Sequence, residues 1–385
     1  MSNKKIKMKT GLNKHNWIVA FLLIAIISFS NQINAQIIKT FTQRSSAYTP
    51  TKLIYNIQGD YTMIGNTNLT LQTYGDFTNN SNNFMEYVDV DADANTFNSS
   101  SATLEFSTEN GAIPSCSHII YAGLYWTGRA SNASTSPEEF DVTKGGITKT
   151  FNKRKVKLKG PGQPAYTEFE ANPGNIYYPT SANGNMYSAY VEVTDYVNSN
   201  GLGEYTLADM ALIEGNGGAT GYYGGWGMIV VYENSQMNWR DVTIFDGHAY
   251  VQGNATINYE LPVSGFQTVQ SGQVNMKLGV MAGEGDVGIS GDYFKIRNWQ
   301  DNSWVSLSHA SNSSSNFFNG SVYTSGNPRT PNLQNNTGLD IAMFDVPNVG
   351  NSVITNNQTS TRFQYGSTQD TYVIFCIAMA VDAYI

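Results

Sequence analysis

Gly221 to Asn234, GYYGGWGMIVVYEN, sets a glycine cluster directly against an apolar run, and its reading decides between a phosphate-binding α/β fold and a sheet protein. A dinucleotide loop requires a strand before its glycines and a helix after them, so that free amides and the helix N-terminus face the phosphate. Here the order is reversed. After Gly227, the residues Met228, Val230 and Tyr232 alternate with Ile229, Val231 and Glu233, apolar on both faces until Glu233, as in a buried strand. The preceding EGNGGAT, Glu214 to Thr220, reads as a connector out of the strand YTLADMALI. The glycines are therefore expected to close a long hairpin and to let Trp226 settle against a neighbouring backbone.

The same period runs outward in both directions. Ala102, Leu104 and Phe106 alternate with Thr103, Glu105 and Ser107, a half-buried strand, while HIIYAGLYWTG, His118 to Gly128, is apolar on both faces and reads as a central one. RKVKLK, DVTIFDGHAYV, VNMKLGVMAG, LDIAMFDV and TYVIFCIAMAV repeat the pattern, with Gly, Asn, Pro and Ser clusters between them and almost no helical periodicity. Regular short strands with turn signals predict an all-β protein of sandwich or jelly-roll architecture built from two packed modules. A composition seam at Gly253 to Pro262 places them at 36–255 and 256–385, and the Ser- and Asn-rich stretch from Ser306 to Asn336 reads as a long loop.

Residues 1–35 read as a secretory signal peptide: a head of five lysines, an apolar run of 13 residues from Trp17 to Phe29, and a small residue, Ala35, at the cleavage point. That run is shorter than the roughly 20 residues needed to span a bilayer. Without those five lysines the 22 basic residues fall to 17 against 30 acidic, a net charge of −13. Such a balance argues against nucleic acid as a partner, because phosphate backbones demand a basic footprint. The expected product is secreted, with no membrane span once the signal is cleaved and with retention at the cell surface left open. Its two cysteines, Cys116 and Cys376, are in an oxidising exterior either one disulfide or two buried thiols.

Acidic alternation supplies the candidate metal sites. Asp89, Asp91, Asp93 and Asn95 occupy every second position, as in the first half of an EF-hand loop. Ala94 and Ser100 stand where the glycine and the closing glutamate of that loop belong, so an acidic turn capping its own backbone competes with calcium. A second glycine-rich loop, GEGDVGISGDYF, offers Asp286 and Asp292 to a cation, or simply marks tight turns. A structural Ca²⁺ is the one cofactor the pattern admits. Lys153, Lys155, Lys157 and Lys159 fall on one strand face with Val156 and Leu158 inward, either an edge strand blunted by lysine or a patch for an anionic ligand. His118, His248 and His309 lie far apart in the sequence with no paired ligand spacing, and neither a GxSxG elbow nor a P-loop is present. No catalytic residue is assigned.

Several motifs together resemble, in order, the amino-terminal region of large exported surface proteins of flavobacteria: YNIQGDYTMIGNTNLTL, YVDVDADANTFNSSSATLEF, CSHIIYAGLYWTGR, RKVKLKGPGQPAY, VEVTDYVNSNGLGEYTLADM, GGWGMIVVYEN, RDVTIFDGH and GEGDVGISGDYF. Those proteins are adhesin-like and gliding-motility-associated cargo of the type IX secretion system. The resemblance implies a non-catalytic adhesion or recognition module for a surface glycan or protein, and it carries no catalytic residues with it. Members of this kind continue into stalk repeats and a sorting domain where this chain stops at VDAYI, so the expectation is a short free-standing form or a truncated copy. The alternatives are a secreted carbohydrate-active enzyme on a jelly-roll scaffold, which would need paired carboxylates, and a structural subunit of a surface assembly.

Overall fold

In the computed structural model the described residues are 37–46, 53–130, 137–177, 185–254, 258–324, 326 and 328–383. The signal-peptide segment lies outside them. Strands β1 (Ile37–Gln43), β2 (Tyr55–Thr67), β3 (Leu69–Leu71), β4 (Phe84–Tyr87), β5 (Ser99–Leu104) and β6 (His118–Arg129) come first. Next come β7 (Glu139–Lys144), β8 (Ile147–Asn152), β9 (Lys155–Lys159), β10 (Thr167–Glu170), β11 (Met186–Glu192) and a short helix, α1 (Thr194–Asn200). They are followed by β12 (Gly203–Ala208), β13 (Gly215–Asn216), β14 (Tyr223–Glu233), β15 (Trp239–Val251), β16 (Tyr259–Ser264) and β17 (Met276–Gly285). The last are β18 (Asp292–Arg297), β19 (Trp304–Ser306), β20 (Val322–Thr324), β21 (Arg329–Thr330), β22 (Gly338–Asp345), β23 (Ser360–Ser367) and β24 (Tyr372–Asp382). The expected all-β sandwich architecture is present, and the 306–336 stretch carries β20 and β21 within what reads as loop.

A ten-stranded sheet runs β11-β6-β14-β2-β15-β24-β17-β22-β20, with β1 added on β15. Its two halves are joined by only four residue pairs, Trp239–Val242 against Gln58–Tyr55, and the sheet folds over at that joint. Tyr61, Met63, Tyr125, Ile229 and Val231 of the first leaf then bury against Ile244, Met281, Ile341, Phe375 and Ala378 of the second. On its other face the first leaf packs Leu124, Trp126, Met228 and Val230 against Leu104, Val156, Leu158 and Leu207 of the five-stranded sheet β10-β9-β12-β5-β21. The second leaf is covered in turn by the sheet β16-β23-β18-β19, where Phe294 and Phe363 stack 5.4 Å apart and Phe318 stacks on Tyr372 at 4.2 Å. Four β layers therefore share three cores. Each fully buried large side chain contributes about 1.5–3 kcal/mol relative to exposure.

The glycine stretch sits at the centre of this stack and corrects the hairpin expectation. β14 pairs with β2 and β6, neither of which is its neighbour in the chain, and β12 belongs to a different sheet. Gly224, Gly225 and Gly227 lie inside the strand. A Cβ on Gly224 would come within 2.2 Å of Leu212, one on Gly225 within 2.6 Å of Leu339, and one on Gly227 within 2.7 Å of Met281 Sδ. The missing side chains let residues from the layers above and below approach the strand closely. Trp226 is fully buried and its Nε1 donates to Ser100 Oγ at 2.9 Å.

At the open side of the folded sheet, Arg44, just past β1, donates from Nε to the buried Asp246 of β15 at 2.6 Å, and Tyr125 adds its hydroxyl at 3.1 Å. Burial pushes the Asp246 carboxyl up, against the pull of Arg44. Cys376 of β24 lies fully buried beside this group in the central core, whereas Cys116 is exposed in a turn before β6. Both are free thiols, so the disulfide alternative is not what the fold contains.

Candidate functional site

Between the turn after β3 and the segments around β20 and β21 runs a groove of about 850 Å³. Asn312, Asn316, Asn319, Asn332 and Gln334 line it, together with Ser311, Ser313, Ser321, Asp76 and Arg329. Phe77 stands at it 80% exposed. Asparagine side chains hold the walls in place. Asn335 Nδ2 donates to Gly75 O at 2.9 Å and to Thr78 O at 2.8 Å, clamping the Phe77 turn to the segment after β21. Gly288 N donates to Asn79 Oδ1 at 2.7 Å, and Asn316 Nδ2 donates to Val287 O at 3.0 Å. Arg329 spreads its donors over neutral oxygens, including Asn336 Oδ1 at 2.7 Å and Asn66 Oδ1 at 3.2 Å, and burial lowers its pKa to about 10. Asn316 Oδ1, Asn319 Oδ1 and Ser321 Oγ are buried without a hydrogen-bond partner among the described residues.

Behind the groove, on the second leaf, lies a set of buried carboxylates that the sequence only half revealed. Ligand oxygens of Glu284, Asp286 and Asp370 all fall within 4.8 Å of one another. Glu284 occupies the bulge at the end of β17, where the register against β22 shifts, and its φ of +78° is a left-handed conformation that costs a non-glycine residue energy. Asp370 sits in the turn between β23 and β24, accepting Asp286 N at 3.0 Å and Thr371 N at 2.8 Å. Burial pushes the Asp286 carboxyl up to about 7, and burial together with Asp286 pushes Asp370 up to about 9. Glu284 is driven well above the carboxylate range by burial, then by Asp286 and Asp370, against the pull of Arg129. Asp292 stands outside this group: its Oδ2 accepts Phe318 N at 2.7 Å, and burial raises its pKa to about 7. The pairing of Asp286 with Asp292 is thus replaced by Asp286 with Glu284 and Asp370. Asp340 of β22 lies on the same side of the leaf, its Oδ1 accepting Asn319 N at 3.0 Å and Ser321 N at 3.2 Å.

Of the alternating acids at 89–95, Asp89 and Asp91 meet side chain to side chain, burial and Asp91 pushing Asp89 up, and Asp93 does not join them. Asp93 N donates to Asp91 Oδ1 at 3.0 Å, Asn95 N to Asp93 Oδ1 at 2.9 Å, and Ser99 Oγ to Asp89 Oδ1 at 3.1 Å. These are side chains capping their own turns, the competing reading of the motif. Tyr166 donates its hydroxyl to Asp91 as well, and such donors hold the Asp91 carboxyl below its usual range although burial opposes them.

The lysine patch is also redrawn. β9 lies between β10 and β12, so it is not an edge strand. Lys157 pairs with Asp209 at 2.9 Å, Lys155 with Glu168 at 3.1 Å, and Lys159 sits 4.6 Å over the Tyr166 ring. Lys153 precedes the strand and is fully buried, its pKa lowered to about 7 by desolvation, with its ammonium 5.4 Å from the Tyr187 ring. Alternation fails at Lys153 because the chain turns there from β8 into β9. Of the histidines, His248 is buried with Nδ1 2.6 Å from Ser188 Oγ, His309 stacks on Tyr323 at 4.7 Å, and His118 meets Glu233 at 3.2 Å.

No protein-family model matches the chain, and no curated protein does. Among solved structures it is similar to a recombinant peptide:N-glycanase F, with a TM-score of 0.20, 11% identity and coverage of 84% of this chain and 96% of that one. It is similar to the major capsid protein P2 of bacteriophage PM2, with a TM-score of 0.21, 9% identity and coverage of 85% and 98%. A further similarity is to the PNGase F glycosylasparaginase of Flavobacterium meningosepticum, with a TM-score of 0.21, 10% identity and coverage of 83% and 96%.

Proposed function

We propose that the protein is an exported surface-recognition module that binds a glycan in the asparagine-rich groove. The observation that carries this reading is the lining itself: side-chain amides and hydroxyls at Asn312, Asn319, Asn332, Gln334 and Ser313 beside an aromatic ring, Phe77, left 80% exposed. Amides both donate and accept, which suits the mixed hydrogen bonding of sugar hydroxyls, and an exposed ring offers a face on which a pyranose stacks. Among the described lining residues Asp76 supplies the carboxylate. A glycosidase uses a pair, so the groove favours binding over hydrolysis. The exported setting rests on the amino-terminal segment and on the resemblance to flavobacterial surface proteins.

Screening the full chain against a glycan array tests the reading, followed by titration of whichever glycan binds. Phe77→Ala is expected to weaken binding by about tenfold, a loss of about 1.4 kcal/mol. Trp299→Ala, in a smaller cleft on the outer sheet lined also by Arg297 and Arg362, is expected to leave it unchanged. Failure to bind any glycan, or binding indifferent to Phe77→Ala, sinks the proposal.

A further inference from the structure

We propose that Glu284, Asp286 and Asp370 form a binding site for one hard divalent cation of the calcium class, fixed inside the second leaf. Three observations lead there. The three carboxylates come from separate points of the chain, a strand bulge, the loop that follows it and the β23–β24 turn, yet their oxygens converge within 4.8 Å. Glu284 is 2% exposed, and no hydrogen-bond donor among the described residues reaches its carboxylate, although it points into that cluster. Asp370 accepts two backbone N–H groups, which fix the orientation of its carboxyl toward the other two.

Charge bookkeeping identifies the occupant. Three carboxylates carry three negative charges, Asp340 and Asp292 add more from nearby, and Arg129, 4% exposed and electrostatically coupled to Glu284, returns one positive charge. A divalent ion offsets two of the excess negative charges. A monovalent ion leaves a larger net charge in a low-dielectric interior, where an unpaired charge is costly. Oxygen donors alone select a hard ion, and Ser81 Oγ, 3.4 Å from Asp286 Oδ2, adds a neutral oxygen at the margin. The strained backbone at Glu284 fits the same role, since it is what turns that carboxylate toward the other two. The test of this site reads neither glycan binding nor activity.

The full chain is stripped with chelator, and Ca²⁺ and Mg²⁺ are added in parallel at neutral pH. Equilibrium dialysis is expected to find one ion retained per chain, and saturation to raise Tm by about 5 °C. Glu284→Gln is expected to lose both the retained ion and the Tm shift, while Asp91→Asn keeps both. Should Glu284→Gln fail to fold, the unaltered chain carries the test alone: Tb³⁺ emission excited through tyrosine, Tyr223 packing against Gly283 beside the site, is expected to appear and to be displaced by Ca²⁺. No retained ion with no Tb³⁺ emission overturns the site, and so does a Glu284→Gln chain that binds as the parent does.

Discussion

In the loop at 89–95 each carboxylate is answered by its own turn, whereas at the end of β17 three carboxylates face one another with a single arginine as countercharge. The residue chemistry is nearly the same, and what differs is the depth of burial and the supply of donors. In the loop, nearby N–H and O–H donors and the Tyr166 hydroxyl hold the Asp91 carboxyl below its usual range against burial, whereas burial and the neighbouring Asp91 push Asp89 up. In the second leaf, burial removes water from the acids and supplies little in return, so their charged forms are penalised. The run of alternating acids here serves its own turn, while the buried cluster joins two acids at the end of β17 to a third more than 80 residues further on.

The largest expected break in this contrast is with pH. Asp286 and Asp370 have folded pKa values of about 7 and about 9, above those of an unfolded chain, so the folded state holds protons that the unfolded state releases. In chelator, the stability they supply is complete below about pH 4 and is lost as pH rises through 7 and on through 9. The loss from Asp286 alone is on the order of 4 kcal/mol. Urea unfolding at pH 5, 7 and 9 measures the slope, and saturating Ca²⁺ is expected to flatten it. A chelated protein no less stable at pH 9 than at pH 5 would show that these acids do not carry raised pKa values.

Next in size is Asp340→Ala, which leaves Asn319 N and Ser321 N without their buried acceptor and is expected to cost about 3 kcal/mol in urea unfolding. A loss below about 1 kcal/mol would mean that water reaches those amides. The smallest effect belongs to the loop. Asp91→Asn keeps the shape and one acceptor oxygen, and is expected to cost about 1 kcal/mol or less at pH 7. Its linkage has the other sign: the folded pKa is depressed, so the Asp91 contribution is present above the unfolded value and fades as pH falls through the folded one. If Asp91→Asn proved as costly as Asp340→Ala, the loop would have to be doing more than capping itself.

Strands were legible because their burial is two-sided or alternating: HIIYAGLYWTG coincides with β6, and Ala102 and Leu104 are buried in β5 while Thr103 is not. Pairing was less so. The hairpin read into β14 failed because its partners, β2 and β6, lie about 100 residues or more upstream, and nothing in a local period records which distant strand will lie alongside. Lys153 was placed with its neighbours because period-2 counting assumes an unbroken strand. Asp286 was singled out, but Glu284 and Asp370 were not. The signal for Glu284 was its place between two glycines, Gly283 and Gly285; Asp370 carried none, since its role depends on β23 and β24 returning it to β17.

The terminal strands of the described chain, β1 and β24, both hydrogen-bond to the same strand, β15. A load applied between the two ends of such a module would travel from β1 across β15 into β24, with the Arg44–Asp246 pair on that path. The groove lies to the side of it, while Asp370 leads directly into β24 and Glu284 stands on β17, the neighbour of β24 in the same sheet. Tension would be borne by the β1–β15 and β15–β24 ladders, to which the residues lining the groove do not belong.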